Sequence, residues 1–370
     1  MYALKTLVAQ PQRAVLTCFG VALCVVLMLF LLSVYRGVAE GSLDYVRSSD
    51  ADLWVLQRHA ANILRSTSLL TAHHGEVIGK IKDVESASPV LFLIGGVECG
   101  EPRGTQLATT YFTGYDVSSG RGGPPSLAAG RNVASDSEIV LDRSFAAKHR
   151  FRVGDRLSVK GETLEVVGLS NGTNMFVIQY AFVTLNRARQ LAGMDKIVSA
   201  FQVRLKRGAR PAAVRTVIRR RLSDVAVYGR DAFIANNSRE MKSGILPLLY
   251  TVALIGAVVL TAILSLILSV NVLERRKELA VMKALGAPAG FIPGLVIIQA
   301  FCLAGVGTAL GIAVFFPLVR LVERLAPEIT AQAAPGHIAL VVAGAAAVSL
   351  LSSLLPIQRL RRIYPLEVFR

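Results

Sequence analysis

Charge is missing from four long stretches of this 370-residue chain. Each of them exceeds the roughly 20 apolar residues that a helix needs to cross the hydrocarbon layer of a membrane. A helix is the expected form there, because lipid offers no hydrogen-bonding partner to an open backbone. We therefore predict a membrane protein with four transmembrane helices, at residues 14–35, 245–273, 291–319 and 337–358.

Cysteine is also scarce, with four residues in the whole sequence. Cys18, Cys24 and Cys302 fall inside predicted spans, where a thiol behaves as a small hydrophobic group. Cys99 is the one cysteine between the first and second spans. The large region between these spans therefore cannot contain an internal disulfide.

Patterns typical of catalysis or metal binding are absent as well. The stretch GEVIGKI (75–81) resembles a phosphate-binding loop, but it is one residue short between its glycines and has Ile81 where Ser or Thr should bind magnesium. Adjacent histidines such as His73 and His74 point in different directions on a helix and suit metal poorly. Ser144 lies near Asp142 and His149 without a nucleophile elbow. We expect no catalytic, cofactor or metal site in this chain.

Basic residues indicate the orientation of the four spans. They are concentrated before span one (Lys5, Arg13), in the 274–290 loop and in the 359–370 tail, whereas the 320–336 loop is balanced in charge. Short cytoplasmic flanks are enriched in Lys and Arg. We predict cytoplasmic termini and a cytoplasmic 274–290 loop, with residues 36–244 and 320–336 outside. Span one as a cleaved signal peptide is the alternative, but its apolar run is longer than a signal core.

The net charge of +16 includes a basic excess in residues 36–244. Such an excess fits attraction to anionic membrane lipid or an ordinary solvated surface. It does not contradict the predicted orientation, because long translocated domains escape the charge rule. We expect no nucleic-acid partner.

The 36–244 region has the pattern of a mixed α/β domain. The segments RGVAEGSLDYVRSS (36–49) and RDAFIANNSREMKSG (230–244) are predicted to be stalk helices that join it to spans one and two. Strand-like runs occur at 51–57, 87–97 and 200–205, and an amphipathic helix pattern covers RPAAVRTVIRRRLSDV. Between them, EIVLDRSFAAKHRFRVGDRLSVKGETLEVVGLS predicts a strand, a helix and a hairpin. We predict two subdomains, the second of them at roughly 99–196. The Gly- and Pro-rich segment 120–130 is predicted to be a connector.

The stretch NVLERRKELAVMKALGAP (271–288) places six charges in a short loop between two spans. Its residues favour helix, and Gly286 and Pro288 then predict its end. Leu279, Met282 and Leu285 recur at three-residue spacing along one side. Such a helix either floats on lipid headgroups or docks into a groove of a cytoplasmic protein. Its two glutamates favour docking, because membrane-surface helices usually have a basic excess.

This stretch resembles the signature of MacB/LolC/FtsX-type ABC transporter permeases, in the stand-alone, DevC-like form without a fused ATPase domain. The resemblance extends to the closing segment PIQRLRRIYPLEVFR and to the start of the α/β domain. It implies a non-catalytic permease that transmits motion from a separate cytoplasmic ATPase, which would hold the ATP and magnesium. It also implies a second permease copy, the same or related, and allows for a periplasmic adaptor protein as a further partner. The location that it implies for this chain is the bacterial inner membrane.

The resemblance also implies roles for individual residues. The coupling segment that docks on the ATPase would comprise Glu274, Arg275, Arg276, Lys277, Glu278, Met282, Lys283, Ala284, Leu285 and Gly286. Small residues in span three, Gly305, Gly307 and Gly311, suit close helix packing, and the last two have GxxxG spacing. Ordinary packing within one bundle explains them equally well.

Three functions follow from these expectations. The first is export or extraction of a lipid, a lipoprotein or a hydrophobic compound. The second is FtsX-like regulation of an extracytoplasmic cell-wall hydrolase, for which the 36–244 domain is large. The third is a membrane-anchored extracellular enzyme, which leaves the 274–290 segment unexplained.

Overall fold

The computed structural model describes residues 11–63, 66–101, 104–174, 178–274, 276–288, 290–327, 329 and 331–361. Lys5, Arg275 and the tail from residue 362 lie outside them. Backbone contacts divide the chain into two compact units. The helical unit contains residues up to 36, 246–322 and those from 331 onward. The α/β unit contains residues 37–245 and 323–330.

Nine helices are present among the described residues. In chain order they are α1 (Pro11–Ser48), α2 (Ala72–Gly79), α3 (Arg143–His149), α4 (Leu185–Ala192), α5 (Pro211–Arg221), α6 (Arg230–Glu274), α7 (Arg276–Ala284), α8 (Phe291–Leu325) and α9 (Pro335–Arg361). The strands there are β1 (Leu53–Gln57), β2 (Leu70–Thr71), β3 (Val84–Glu101), β4 (Gly104–Tyr115), β5 (Ser126–Gly130), β6 (Glu138–Asp142), β7 (Arg156–Val159), β8 (Glu162–Asn171), β9 (Gln179–Thr184), β10 (Ile197–Val198), β11 (Ala200–Leu205) and β12 (Val225–Gly229).

Four of these helices are long and apolar enough to cross a membrane. Their apolar segments are Ala14–Gly37, Tyr250–Glu274, Phe291–Leu325 and Pro335–Gln358. The predicted fold class, four spans with an α/β domain between the first and second, is therefore confirmed. The helices are longer than the predicted spans: α1 continues to Ser48, and α6 already begins at Arg230. Both predicted stalk segments are thus helical over most of their length.

The helical unit has an apolar core to which all four long helices contribute. Val25 and Leu29 of α1 pack with Leu264 of α6, Phe315 of α8 and Val341 of α9. All five side chains are almost fully buried. Many exposed side chains of these helices are also apolar. In a bilayer, dispersion and close packing, rather than release of water, must therefore hold the helices together.

The α/β unit is built on one ten-stranded sheet. Its strand order is β12-β1-β11-β3-β4-β9-β6-β8-β5, and β7 pairs with β3 and β8. The pairs β4–β9 and β6–β8 are parallel, and the other pairs are antiparallel. The predicted boundary near residue 99 lies inside β3, so the sheet is continuous across it. The division into two subdomains stays a prediction.

The local pattern predicted most of this sheet correctly. The 51–57 run contains β1, and β11 occupies the predicted 200–205 run. The predicted strand, helix and hairpin are β6, α3 and the β7–β8 pair. The 120–130 connector differs, because its last five residues form β5 against β8. This edge strand is mostly exposed, and it therefore lacks the alternation of apolar residues that identifies a half-buried strand.

An aromatic cluster joins the ends of α1 and α6 inside the α/β unit. Tyr45, near the end of α1, lies edge-on to Trp54 of β1 with ring centroids 6.4 Å apart. Phe233, in the first turn of α6, stacks on Trp54 at 4.7 Å. All three side chains are at most 2% exposed. Aromatic pairs of this kind add about 0.5–1.5 kcal/mol beyond the area that they bury.

Hydrogen bonds hold the start of α6 in the same place. The Asn237 side chain accepts from the backbone N–H of Ile63 at 3.1 Å and donates to the Phe233 carbonyl at 2.8 Å. The Arg230 side chain donates to the Arg47 carbonyl at the end of α1. Both stalk helices are therefore fixed at one point of the sheet, chiefly by apolar packing.

We predict that Phe233→Ala lowers the free energy of unfolding of the α/β unit by about 3–5 kcal/mol, because it opens a cavity against Trp54. Trp54 is the single tryptophan of the chain, so its fluorescence during urea titration reports on this cluster. Val153→Ala, at a position that is 45% exposed, is the control and should shift stability by no more than about 0.5 kcal/mol. Equal urea midpoints for the two variants would contradict the anchor.

Candidate functional site

The helix α7 lies between the end of α6 and the start of α8, within the helical unit. Leu279 and Ala280 are buried in a small core with Val272 of α6 and Ile292 and Val296 of α8. Met282 is half-buried and packs against the same core. One side of α7 is therefore fixed to the ends of two spans, so α7 is not a free loop.

The opposite side of α7 combines apolar and charged groups. Lys277, Glu278 and Ala284 are exposed, as are Val281 at 41% and Leu285 at 82%. Residues 277, 278, 281 and 284 follow the three- and four-residue spacing of a single helix face. Leu285 differs from the sequence expectation, which placed it on one side with Leu279 and Met282. It follows the last helical residue, where the helical spacing no longer determines its direction.

A glycine ends α7. Gly286 has φ +87°, and the N–H of Ala287 donates to the Met282 carbonyl at 3.1 Å. This six-to-one hydrogen bond next to a left-handed residue is the Schellman arrangement, which favours glycine because other residues are strained there. The turn fixes the direction in which Leu285 leaves the helix.

The structure assembles most of the predicted docking residues into or beside α7. Glu274 is the last residue of α6, and its side chain is exposed. Arg276 and Lys283 belong to α7, and only the backbone of these two residues is described. Arg275 lies outside the described residues. Ala280 and Val281 were not among the predicted residues, yet Ala280 is buried below the helix and Val281 is exposed beside Leu285. The four-residue spacing of Val281 from Lys277 was the available signal for its exposure, whereas the spacing of Ala280 gave no signal of its burial.

Two of the three predicted packing glycines lie where α8 crosses α1. A Cβ on Gly307 would be 2.6 Å from the Val21 Cβ, and one on Gly311 would be 2.8 Å from the Val25 Cβ. A Cβ on Gly305 would have no atom within 4 Å. The GxxxG pair therefore marks a close approach of backbones within one bundle, and Gly305 lies outside it.

The titratable residues that were considered for chemistry have structural partners. Asp142 caps α3 by accepting from the N–H groups of Ser144 at 2.7 Å and Phe145 at 3.3 Å. Burial raises the pKa of the Asp142 carboxyl. His74 pairs with Asp224 at 2.9 Å, which lowers the pKa of that carboxyl. Within the described residues, no group of three or more His, Cys, Asp or Glu is placed to hold a metal.

Two family models together match most of the chain. The MacB-like periplasmic core domain matches residues 14–221, and the FtsX-like permease C-terminal domain matches residues 250–365. The chain belongs to the MacB/FtsX type of ABC transporter permeases. This permease is accordingly a multi-pass membrane protein, and α7 lies within the FtsX-like part.

Several proteins with similar sequences are named as ABC transporter permeases or contain such a permease. An uncharacterized ABC transporter permease of Mycobacterium tuberculosis is 25% identical over 99% of this chain and 98% of its own length. An uncharacterized ABC transporter permease of Methanocaldococcus jannaschii is 21% identical over 88% and 84%. The macrolide export ATP-binding/permease protein MacB of Agrobacterium fabrum is 27% identical over 64% of this chain, but over only 38% of its own length.

Solved structures of extracytoplasmic regions also match. The periplasmic region of MacB from Actinobacillus actinomycetemcomitans has a TM-score of 0.38 and 12% identity, over 50% of this chain and 92% of that one. The extracellular domain of the transporter YknZ from Gram-positive bacteria has a TM-score of 0.37 and 10% identity, over 49% and 100%. These scores are low, and the family assignment rests on the sequence matches.

We predict that Gly307→Ala lowers the thermal stability of the detergent-solubilised permease. The added methyl group overpacks the α1–α8 crossing, at a cost of about 1–3 kcal/mol. Gly305→Ala is the matched control and should be neutral or slightly stabilising, because alanine favours helix and has free space there. Thermal unfolding of both variants tests this, and a control that is as unstable as Gly307→Ala would contradict the packing account.

Proposed function

We propose that this permease couples ATP hydrolysis by a separate cytoplasmic ATPase to movement of its α/β unit, for export or extraction of a lipid, a lipoprotein or a hydrophobic compound. The exposed face of α7 is the observation that carries the proposal. Two permease copies, identical or related, would assemble with two ATPase subunits. A periplasmic adaptor is a further candidate partner.

The α7 face has the composition of a docking helix. Burying Leu285 from its 82% exposed state would stabilise a complex by about 1.5–3 kcal/mol. Lys277 and Glu278 at its edge would provide charge complementarity, which favours the correct partner over wrong ones. The buried side, with Leu279 and Ala280, fixes α7 to the ends of α6 and α8. A force applied to α7 would therefore reach two spans without first deforming a loop.

The long helices supply the route for this motion. A helix keeps its length under load because backbone hydrogen bonds close its turns. In α6 one such bond is missing, because Pro247 has no N–H to donate. α1 and α6 extend beyond their apolar segments and end in the cluster of Tyr45, Trp54 and Phe233. A change in the tilt of either helix would therefore be transmitted to this cluster and to strand β1.

The composition of the spans argues against a polar pathway through the four helices. The predicted span segments contain no Asp, Glu, Lys or Arg, and such residues normally mark a polar pathway through a membrane. The name of the Agrobacterium relative, a macrolide exporter, agrees with a hydrophobic cargo. That relative also contains an ATP-binding part, which the present proposal assigns to a separate chain.

We propose the bacterial cytoplasmic membrane as the location, with both termini inside. The test is thiol labelling of intact cells with a membrane-impermeant maleimide. Both positions, 119 and 277, are exposed in the structure, and the proposed orientation places them on opposite sides of the membrane. Ser119→Cys should therefore be labelled in intact cells, whereas Lys277→Cys should be labelled only after the membrane is permeabilised. Immediate labelling of Lys277→Cys would contradict it. The background is low, since Cys99 is buried and the other cysteines lie in the spans.

We predict that the double reversal Glu274→Lys/Glu278→Lys releases the ATPase from the purified permease. Two glutamates become lysines at the edge of the docking face, so attraction becomes repulsion, and affinity should fall at least tenfold, since each 1.4 kcal/mol corresponds to a factor of ten. The measurement is the amount of ATPase that co-purifies with the tagged full chain from its native membrane.

The matched control is the reversal Glu76→Lys/Asp195→Lys in the α/β unit, where both positions are exposed. It makes the same change in net charge without touching α7, and should retain the ATPase. Equal ATPase recovery with both double variants would overturn the assignment of α7. Absence of any ATPase from the unmodified permease would overturn the proposed function.

A further inference from the structure

The helix α1 touches the α/β unit a second time, one turn before its aromatic anchor. Gly41 lies against the turn formed by residues 172–174, which follows β8. A Cβ on Gly41 would be 2.3 Å from the Asn174 carbonyl oxygen, a distance that real Cβ atoms do not reach. A Cβ on Gly172 would lie 3.9 Å from the Asp44 Cβ. We call this the stalk–turn contact.

The 172–174 turn is fixed to the strands beneath it. The Thr173 hydroxyl donates to the Asp142 carboxylate at 2.6 Å and lies 2.7 Å from the Ser170 hydroxyl. Asp142 ends β6 and caps α3, and Ser170 belongs to β8. All three side chains are at most 2% exposed. Movement of α1 against this turn would therefore act directly on β6, β8 and α3.

The stalk–turn contact is weaker than the anchor that follows it. The anchor is made of buried aromatic rings, whereas the contact sets bare backbone and a half-buried carboxyl against a turn. Burial raises the pKa of Asp44, and the charge of Arg47 opposes this only in part. A partly desolvated carboxylate costs free energy as long as the contact is closed. When the contact opens, water hydrates the carboxylate again and this cost disappears.

We propose that the stalk–turn contact opens and closes during the transport cycle while Tyr45 stays anchored. In one state α1 is seated on the turn and moves with the β6–β8 part of the sheet. In the other state the turn is separated from α1, while Tyr45 keeps its ring contacts with Tyr180 and Phe182 of β9. The inference rests on the proposed function, and it identifies the contact that opens when α1 turns about its anchored residue Tyr45.

The test is disulfide formation in the variant Asp44→Cys/Gly172→Cys. Its Cβ separation of 3.9 Å falls within the range of about 3.5–4.5 Å that disulfides need. The full chain in native membranes is oxidised with copper phenanthroline, either without nucleotide or with magnesium, ATP and vanadate. We expect the disulfide to form about tenfold more slowly in the trapped state. The disulfide forms only while the contact is closed, and opening lowers the fraction of closed molecules. Equal rates would overturn the proposal.

The control pair is Ser158→Cys/Thr163→Cys, between register partners of β7 and β8, and it should oxidise at the same rate in both states. Vanadate-trapped nucleotide is measured in the same membranes. If nucleotide is trapped and the rate of the Asp44→Cys/Gly172→Cys pair is unchanged, this inference fails and the proposed function survives. If no ATPase is associated with the permease, both fail.

A single-cysteine variant avoids the left-handed backbone of Gly172 (φ +71°), where cysteine is strained. Asp44→Cys should react with an impermeant maleimide several-fold faster in the trapped state. Adding Gly41→Ala should make this cysteine reactive without nucleotide, because the new methyl group cannot fit against Asn174. Adding Gly79→Ala in α2, which has nothing within 4 Å, should have no effect. A reactivity of Asp44→Cys that is the same in every case contradicts the proposal.

Discussion

The packing of Trp54 between Tyr45 and Phe233 is the contact on which the other features depend. It brings the end of α1 and the start of α6 to one point of the sheet, with a stacking distance of 4.7 Å between Trp54 and Phe233. Both helices are fixed there by buried rings, and rings resist separation because each buries about 150–250 Å² of surface. Without this cluster the ends of the two helices would lack their main apolar contact with the sheet. A tilt of the helices would then not be transmitted rigidly to the strands.

The opposite end of the proposed transmission depends on one short helix. α7 turns Leu279 and Ala280 toward the spans, and leaves Val281 and Leu285 exposed. Because Leu285 is 82% exposed, a docking partner would remove most of its apolar surface from water. The same chain is therefore rigid where motion would enter and anchored where motion would arrive. The close α1–α8 crossing at Gly307 and Gly311 holds the bundle between these points together.

The sequence predicted features that depend on local composition. The spans were found because lipid excludes charge, and the sheet strands because apolar residues alternate. The helical stalk that ends at Ser48 was predicted, whereas the anchoring roles of Tyr45 and Phe233 and the exposure of Leu285 were not. Each of these depends on a residue distant in sequence or on the residue at which a helix ends, and single-sequence patterns define both poorly. Gly41 gave no signal, because its contact with Asn174 joins residues far apart along the chain.

The most direct test of the central claim is a distance measurement between the two permease copies that the proposed function requires in one complex. A spin label at position 119, on the exposed surface of the α/β unit, reports on the distance between the α/β units of the two copies. The account predicts that trapping the ATPase with magnesium, ATP and vanadate shifts this distance distribution by several ångströms. It also predicts that the Glu274→Lys/Glu278→Lys variant abolishes the shift. The same distribution in the trapped and nucleotide-free states would contradict coupling between the ATPase and the α/β unit.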